Sequence, residues 1–517
     1  MKIDRTKNAT RNIIFGAILK IYQLFIPFVM RTLIIYLLGV QYLGLNSLFG
    51  SVLQVLNLAE LGVGSAMVYS MYKPIAEDDE TTICALMKLY KIYYRVIGSV
   101  ICILGLTLLP FIPKLIKEDI PKDINIYILY LMNLFATVLS YWLFAYRNSI
   151  LQAHQRLDVT SKVMLITETI KYVLQIGVLA IYHNYYYFLL VILLTQILTN
   201  VMTAIVAYKM YPQFQPKGKL PKEQIKTING RIRDLFTSRF GVVILNASDT
   251  IVISAFLGLT TLAMYQNYFY IITAVTGMIS IVFTSVTAGI GNSLIVEKPE
   301  KNFLDLQKFT FIIAWIAGVC ISCFLCLFQP FIKIWVGKEL LLDFPIIICF
   351  SIYFFVFEIN LLLSTYKDAA GIWHEDRFRP LVTGIVNLGL NLMMVQFIGI
   401  YGIILSTVLS MLFVGMPWLL HNLFTVLFDR KYLKPYLKKL LMYAIVIFVT
   451  AVVNYQICNL FVLPDIVLII VRLLICFIIP NIMFFIIYYH MPEFKLSIQL
   501  LNNMTKYKIP ILKKLEK

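Results

Sequence analysis

The sequence predicts an all-α integral membrane protein of about fourteen transmembrane helices: two six-helix lobes related by an internal parallel repeat, two extra C-terminal helices, and both termini in the cytoplasm. Three observations predict it: an apolar composition, apolar segments alternating with unevenly charged loops, and a phrase that recurs across half the chain. Of 517 residues, 60% are hydrophobic and only 14% charged, with a mean hydropathy of +0.82. No soluble core of this size hides that much apolar surface, so lipid has to act as solvent.

Fourteen apolar segments run near 12–38, 43–70, 83–110, 124–150, 159–182, 185–208, 235–257, 260–292, 305–329, 342–366, 379–398, 401–428, 439–460 and 465–489. Most have the roughly 20 residues that cross ~30 Å of hydrocarbon at about 1.5 Å per residue. With the N-terminus, which carries Lys2, Arg5, Lys7 and Arg11, placed inside, the outward loops hold only Lys114, Lys117, Lys122, Lys333 and Lys338, five of 45 basic residues. The inward loops hold the dense clusters, from Lys209 to Arg239, from Asp429 to Lys439, and along the tail from Lys495. This is the positive-inside asymmetry. The net charge of +18 is therefore topological, and no nucleic-acid partner is expected. The first segment is too long for a signal-peptide apolar region and lacks an Ala-x-Ala-like cleavage site, and no lipidation motif is present.

Tyr146-Arg147-Asn148-Ser149, with His154 eight residues after the tyrosine, returns as Tyr366-Lys367-Asp368-Ala369 with His374 at the same distance, 220 residues later. Leu38-Gly39 recurs as Leu257-Gly258 after 219 residues. A repeat this long implies two homologous halves. Because six is even, both halves insert with the same orientation and enclose a substrate path between them. The predicted organisation is an N-lobe (1–209), a basic cytoplasmic linker (210–234), a C-lobe (235–428), two appended helices (429–490) and a basic tail (491–517). The linker combines Pro212, Pro216, Gly218, Pro221 and Gly230 with alternating Lys and Arg, as expected of a short amphipathic helix on anionic headgroups. Outward loops are short, the longest running from Pro110 to Asn125. A membrane enzyme needs a folded catalytic loop or domain, and ATP hydrolysis needs a Walker A sequence; neither is present, so a secondary transporter is expected.

Ionisable groups inside spans mark functional sites. Lys20 and Arg31 are eleven residues apart, three helical turns, on one face with Gln23 and Pro27. At an offset of 219, Lys20 corresponds to Arg239 and Arg31 to Thr250, beside Asp249. Two symmetric basic pairs emerge, Lys20 with Arg239 and Arg147 with Lys367, expected to surround the inward half of a cavity and to attract a phosphate-bearing substrate. Asn246 joins this substrate-binding set. Against it, Arg147 and Lys367 stand at cytoplasmic helix ends where snorkelling anchors are routine. Arg31 and Asp249 are expected at similar depth in the outer half, as an outer gate or with Asp249 binding a coupling H⁺ or Na⁺; Glu60 is a second coupling candidate. Glu168 and Lys171 are expected to neutralise each other, and Glu358 and Arg472 stand isolated. His154 and His374 lie in charged loops and point to neither metal binding nor catalysis. Cys320, Cys323 and Cys326 form a CxxCxxC in a helix interior without a fourth ligand, and read as small packing residues rather than cluster ligands. No disulfide framework, metal or other cofactor is implied. The tyrosines of Tyr265-Gln266-Asn267-Tyr268-Phe269-Tyr270 are candidates to stack on sugar rings.

Leu38-Gly39-Val40-Gln41-Tyr42-Leu43-Gly44-Leu45, continuing to Leu58-Ala59-Glu60-Leu61-Gly62-Val63-Gly64-Ser65-Ala66 and Pro74, resembles the first two helices of bacterial Wzx-type flippases. These are O-antigen and capsule repeat-unit translocases of the multidrug/oligosaccharidyl-lipid/polysaccharide exporter superfamily. Asn246-Ala247-Ser248-Asp249-Thr250-Ile251, followed by Phe256-Leu257-Gly258 and Tyr265-Gln266-Asn267-Tyr268, is also similar to them. The resemblance implies a V-shaped pair of lobes in the bacterial inner membrane that works by alternating access, driven by an ion gradient and without a cofactor. It implies an undecaprenyl-diphosphate-linked oligosaccharide as substrate, moved from the cytoplasmic to the outer leaflet, with polysaccharide polymerase and chain-length machinery as partners. A drug/cation antiporter of the same superfamily is the alternative, although it would favour acidic groups where this chain repeats basic ones.

Overall fold

A computed structural model describes residues 5–60, 62–117 and 120–504, and every regular element among them is helical. Lys2 and the tail beyond Met504 lie outside these residues. Among the described residues, ten helices are long and apolar enough to cross a membrane, or eleven when one pair bent by 46° is taken as a single span. The protein is thus a multi-pass, all-α membrane protein. Its helices pack into two compact units, residues 1–263 and 264–517.

In the first unit, α1 (Arg5–Leu37) is followed by Gly39 (φ 123°) and α2 (Val40–Leu56). The expected second span is broken. A 3₁₀ turn at Asn57–Glu60 and Gly62, at φ 89°, separate α2 from α3 (Val63–Ala76). A left-handed residue cannot continue a right-handed helix, and glycine adopts that conformation without Cβ strain. Asp79 caps α4 (Glu80–Leu108) by accepting the Thr82 N–H at 3.0 Å; hydrogen bonds from Thr82 and Thr81 hold its carboxyl down to about 2. α5 (Ile126–Trp142) opens on the Asn125 cap and bends through a 3₁₀ turn at Ala145–Arg147 into α6 (Asn148–Ala153). α7 (Leu157–Tyr182) and α8 (Tyr185–Met210) follow, the latter capped by Asn184.

Residues 211–221 are non-helical, and Lys222 then opens α9 (Lys222–Leu257). The expected linker helix and the next span are therefore one continuous element. The sequence repeat assigns this span to the second half, yet by packing it belongs with the first unit. Gly44 of α2 lies so close to the chain leaving α9 that a Cβ there would stand 2.4 Å from the Leu259 carbonyl oxygen. Nearby, the Ser254 hydroxyl donates to the Leu115 carbonyl at 2.7 Å.

α10 (Leu259–Val296) carries the chain into the second unit, whose axis is α11 (Pro299–Val336). α12 (Phe344–Ala369) precedes α13 (Arg379–Ser410), which contains non-helical Ile398 and Gly399 and turns back on itself there. Across this hairpin Asn387 donates to Thr407 at 2.9 Å and Ser406 donates to Asn391, all four side chains being buried. Such interhelical hydrogen bonds replace the hydrophobic drive that lipid removes. A π turn at Met411–Gly415 leads into α14 (Met416–Val426). The last helices, α15 (Leu433–Asn459), α16 (Asp465–Tyr488) and α17 (Pro492–Met504), pack on α11. Phe311 of α11 meets Tyr443 and Tyr488 edge-on at 6.0 and 5.3 Å, and Lys333 pairs with Asp465 at 2.7 Å.

The repeated phrases pack alike in part. Tyr146 and Tyr366 are both buried, and each phrase is followed by a buried aspartate gripped by an arginine fork. Arg156 holds Asp158 at 2.9 and 3.2 Å, and Arg379 holds Asp376 at 2.6 and 2.8 Å.

Candidate functional site

The break between α2 and α3 sets a carboxylate inside an otherwise apolar region. Tyr94 of α4 donates to Glu60 Oε1 at 3.1 Å, and Tyr90 donates to Tyr94 at 2.7 Å. The Tyr141 ring of α5 stands edge-on to Tyr94 at 5.4 Å. Gly64 gives this chain its room, because a Cβ there would lie 3.0 Å from Tyr90 Oη and 3.2 Å from Glu60 Oε1. From α9, exposed Arg239 donates to Ser65 Oγ at 3.4 Å and opposes the Glu60 charge electrostatically. Eight residues earlier on α9, Arg231 donates to Ser70 Oγ at 3.2 Å and covers the Tyr69 ring at 4.6 Å. Arg231 and Arg239 thus set two guanidiniums on the side of α9 that meets α3, beside the Glu60 carboxylate.

A second cationic station lies on α4 beside the first. Lys91 and Arg147 stand over the Tyr146 ring at 5.7 and 5.8 Å, and Arg147 also covers Tyr208 at 5.3 Å. Neither cation has a carboxylate at salt-bridge distance among the described residues. Rings that shelter cations lower their need for counter-ions and leave the charge open to an anionic ligand.

The remaining predicted residues are distributed unevenly. Lys20 is exposed on α1 and makes no ion pair among the described residues, whereas Arg31 is half-buried. Gln23, between them, donates to Glu168 of α7 at 3.0 Å. Glu168 is thus engaged across helices, and the Lys171 ammonium sits over Tyr172 at 4.3 Å; Lys171 still feels the Glu168 charge, with no salt bridge between them among the described residues. Asn246 is exposed on α9, and Asp249, one turn on, is 9% exposed with Ser248 Oγ 3.5 Å from its Oδ1. Lys367, in the second unit, is neutralised: it pairs with Asp368 at 2.6 Å and with Asp376 at 3.5 Å, where Asn422 also donates. Of the four symmetric cations, Lys20, Arg239 and Arg147 remain without salt bridges among the described residues.

Several expectations gave way to packing. Tyr265 and Tyr268 are core residues: Tyr265 packs on Phe269 at 5.3 Å, and Tyr268 accepts the Leu342 N–H at 3.2 Å. His154 is buried against Tyr211 at 4.3 Å, whereas its repeat partner His374 is exposed beside Arg377. Glu358 is fully buried on α12 near Thr276. The tyrosines around Glu60 were not singled out from the sequence. Their signal is the polar run Tyr90-Lys91-Ile92-Tyr93-Tyr94-Arg95 within an apolar span, with two tyrosines spaced i, i+4.

The fold is shared with solved transporters. The lipid II flippase MurJ in an inward closed conformation superposes with a TM-score of 0.66 at 16% identity, over 92% of this chain and 99% of that one. An inward-facing multidrug resistance MATE transporter of the MOP superfamily gives 0.53 at 15% identity, covering 81% and 99% of the two chains. A MATE structure in the bent conformation gives 0.52 at 14% identity, covering 84% and 97%. No curated protein matches the chain significantly. The sequence profile of the family described as polysaccharide biosynthesis protein, Polysacc_synt, matches residues 9–288, a stretch that holds the whole Glu60–Arg239 site. The chain belongs to the polysaccharide biosynthesis protein family.

Proposed function

We propose that this protein translocates undecaprenyl-diphosphate-linked oligosaccharide repeat units from the cytoplasmic to the outer leaflet of the bacterial plasma membrane, by alternating access coupled to an H⁺ or Na⁺ gradient. The observation that carries this reading is the set of cations without salt bridges among the described residues, Lys20, Lys91, Arg147 and Arg239, with three of them set among tyrosines around α4. Guanidinium forks match phosphate oxygens in geometry as well as charge, and tyrosine faces suit sugar rings. The lipid tail would remain in the bilayer while the diphosphate and sugars use the polar face. Membership of a polysaccharide biosynthesis family and a fold shared with a lipid II flippase support the same substrate class. Asp249 and Glu60 are the coupling or gating groups in this reading, and the polymerase and chain-length machinery are the partners that receive the product.

Glu60, hydrogen-bonded to tyrosine, favours a second reading, export of an organic cation, which the MATE-like fold supports. One experiment separates the two. Cells depleted of the protein are analysed for undecaprenyl-diphosphate oligosaccharide and for the leaflet it occupies. Accumulation on the cytoplasmic face with loss of surface polysaccharide is expected. Unchanged lipid-linked sugar with altered sensitivity to cationic drugs would replace the flippase with the exporter.

A further inference from the structure

Three cysteines from three helices meet in the second unit. The sulfurs of Cys326 on α11, Cys458 on α15 and Cys476 on α16 all lie within 4.8 Å of one another, and each residue is fully buried. Asn454, one turn before Cys458 and also buried, brings Nδ2 to 3.3 Å from Cys326 Sγ and 3.2 Å from Cys476 Sγ. Its Oδ1 has no hydrogen-bond partner among the described residues. Arg472, one turn before Cys476, donates to the Cys326 carbonyl at 2.9 Å and to Asn459 Oδ1 at 3.1 Å. A permanent positive charge is thereby held on the same three helices.

Packing alone does not call for this group. An apolar side chain would fill the space in a lipid-embedded bundle, whereas a buried carboxamide with an orphaned oxygen is costly there. An amide whose nitrogen stands beside two sulfurs, with an arginine close by, supplies donors that sulfur ligands use once a metal has displaced their protons. As it stands, Cys476 Sγ lies 3.5 Å from the Ser322 carbonyl, so the uncharged thiol also has an acceptor.

We propose that Cys326, Cys458 and Cys476 form a trigonal thiolate site for a soft d¹⁰ metal cation of the Cu(I) and Zn(II) class. Three sulfurs about 2.3 Å from a common centre stand ~4 Å apart, so the sulfurs need to close by less than about 1 Å. Soft thiolates select such cations over hard ones. On loading, the three thiols release three protons to solvent, three metal–sulfur bonds form, and no electron is transferred. Arg472 offsets the negative charge of the tris-thiolate, and the Asn454 N–H groups remain as donors to the ligands. The site lies near the end of α15: Cys458 precedes Asn459, the last residue of that helix, and the connection beyond is exposed, Leu460 by 78% and Val462 by 94%. The CxxCxxC of α11 is therefore not the ligand set. Cys323 only packs against it, and the partners of Cys326 come from distant helices.

The test uses full-length protein purified under reducing, anaerobic conditions, with the other five cysteines, Cys84, Cys102, Cys320, Cys323 and Cys349, replaced by serine. Cd(II) serves as the spectroscopic probe and Cu(I) as the second metal. Expected are one metal per chain, a sulfur-to-cadmium charge-transfer band, and three sulfur neighbours by X-ray absorption. Asn454→Leu should weaken binding roughly 10- to 100-fold, the range of other second-sphere ligands of metal sites. Wild-type protein read by X-ray absorption at the metal edge gives the same sulfur count, should the five-serine variant fail to fold. Substoichiometric metal, fewer than three sulfurs, or equal binding by a Cys326→Ala, Cys458→Ala, Cys476→Ala variant would overturn the proposal.

Discussion

Replacing Arg239 by alanine tests whether its charge serves a substrate or the fold. The guanidinium is exposed on α9, and among the described residues its hydrogen bond is to Ser65 Oγ, 3.4 Å long and beyond the usual range. Losing it, with the screened attraction to Glu60, should lower stability by about 1 kcal/mol or less. The same group on a diphosphate oxygen would form charge-assisted hydrogen bonds worth about 1.5–3 kcal/mol. At roughly 1.4 kcal/mol per tenfold, losing that interaction slows transport about 10- to 150-fold. Arg239→Lys keeps the charge but not the fork and should fall between. The assay is flipping of lipid-linked oligosaccharide in proteoliposomes, read by an impermeant sugar-binding probe, with the melting temperature of each variant measured in parallel. Wild-type flipping by Arg239→Ala at an unchanged melting temperature would refute the reasoning. So would loss of flipping accompanied by loss of the fold, which would make the residue structural.

Lys20→Ala should insert into the membrane normally and lose transport; wild-type transport would remove it from the site. Asp249→Asn should impair gradient coupling or gating, and unchanged ion dependence in that variant counts against its assignment. Gly44→Ala places a methyl group 2.4 Å from the Leu259 carbonyl oxygen, an overpacking expected to cost about 1–3 kcal/mol, and an unaltered melting temperature would contradict the close approach of α2 to the end of α9. Burial lowers the pKa of His154, which lies beyond α6 in a loop. The unfolded chain then binds more protons than the folded one, so stability is complete above the unfolded value of about 6.5 and is lost as pH falls through the folded value. Melting temperatures from pH 8 to 5 should show this decline, and His154→Leu should flatten it; an identical pH profile in the variant refutes it.

Membrane residence was legible because the bilayer acts on each span separately. Sixty per cent apolar residues and the asymmetry of loop cations require no knowledge of neighbours. Arg239, Lys20 and Glu60 were also legible, since a charge within an apolar segment stands out wherever the helices pack. Lys367 shows the limit. Its resemblance to Arg147 is real in sequence, but a following loop returns Asp376 to 3.5 Å and cancels its charge, while Arg147 rests on tyrosine rings.

The sequence by itself determined the solvent, the helical class, the family and the residues too polar for their surroundings, because these depend on composition and local pattern. Tertiary structure decided which polar residues face one another. Tyr90, Tyr94 and Tyr141 converge on Glu60 only because α2 breaks at Gly62 and α4 and α5 pack beside the break. Likewise, the CxxCxxC pointed along one helix, whereas Cys326 finds Cys458 and Cys476 across two others. Spacing along the chain fixes which residues share a helix face; interhelical packing over more than a hundred residues of separation fixes what that face meets.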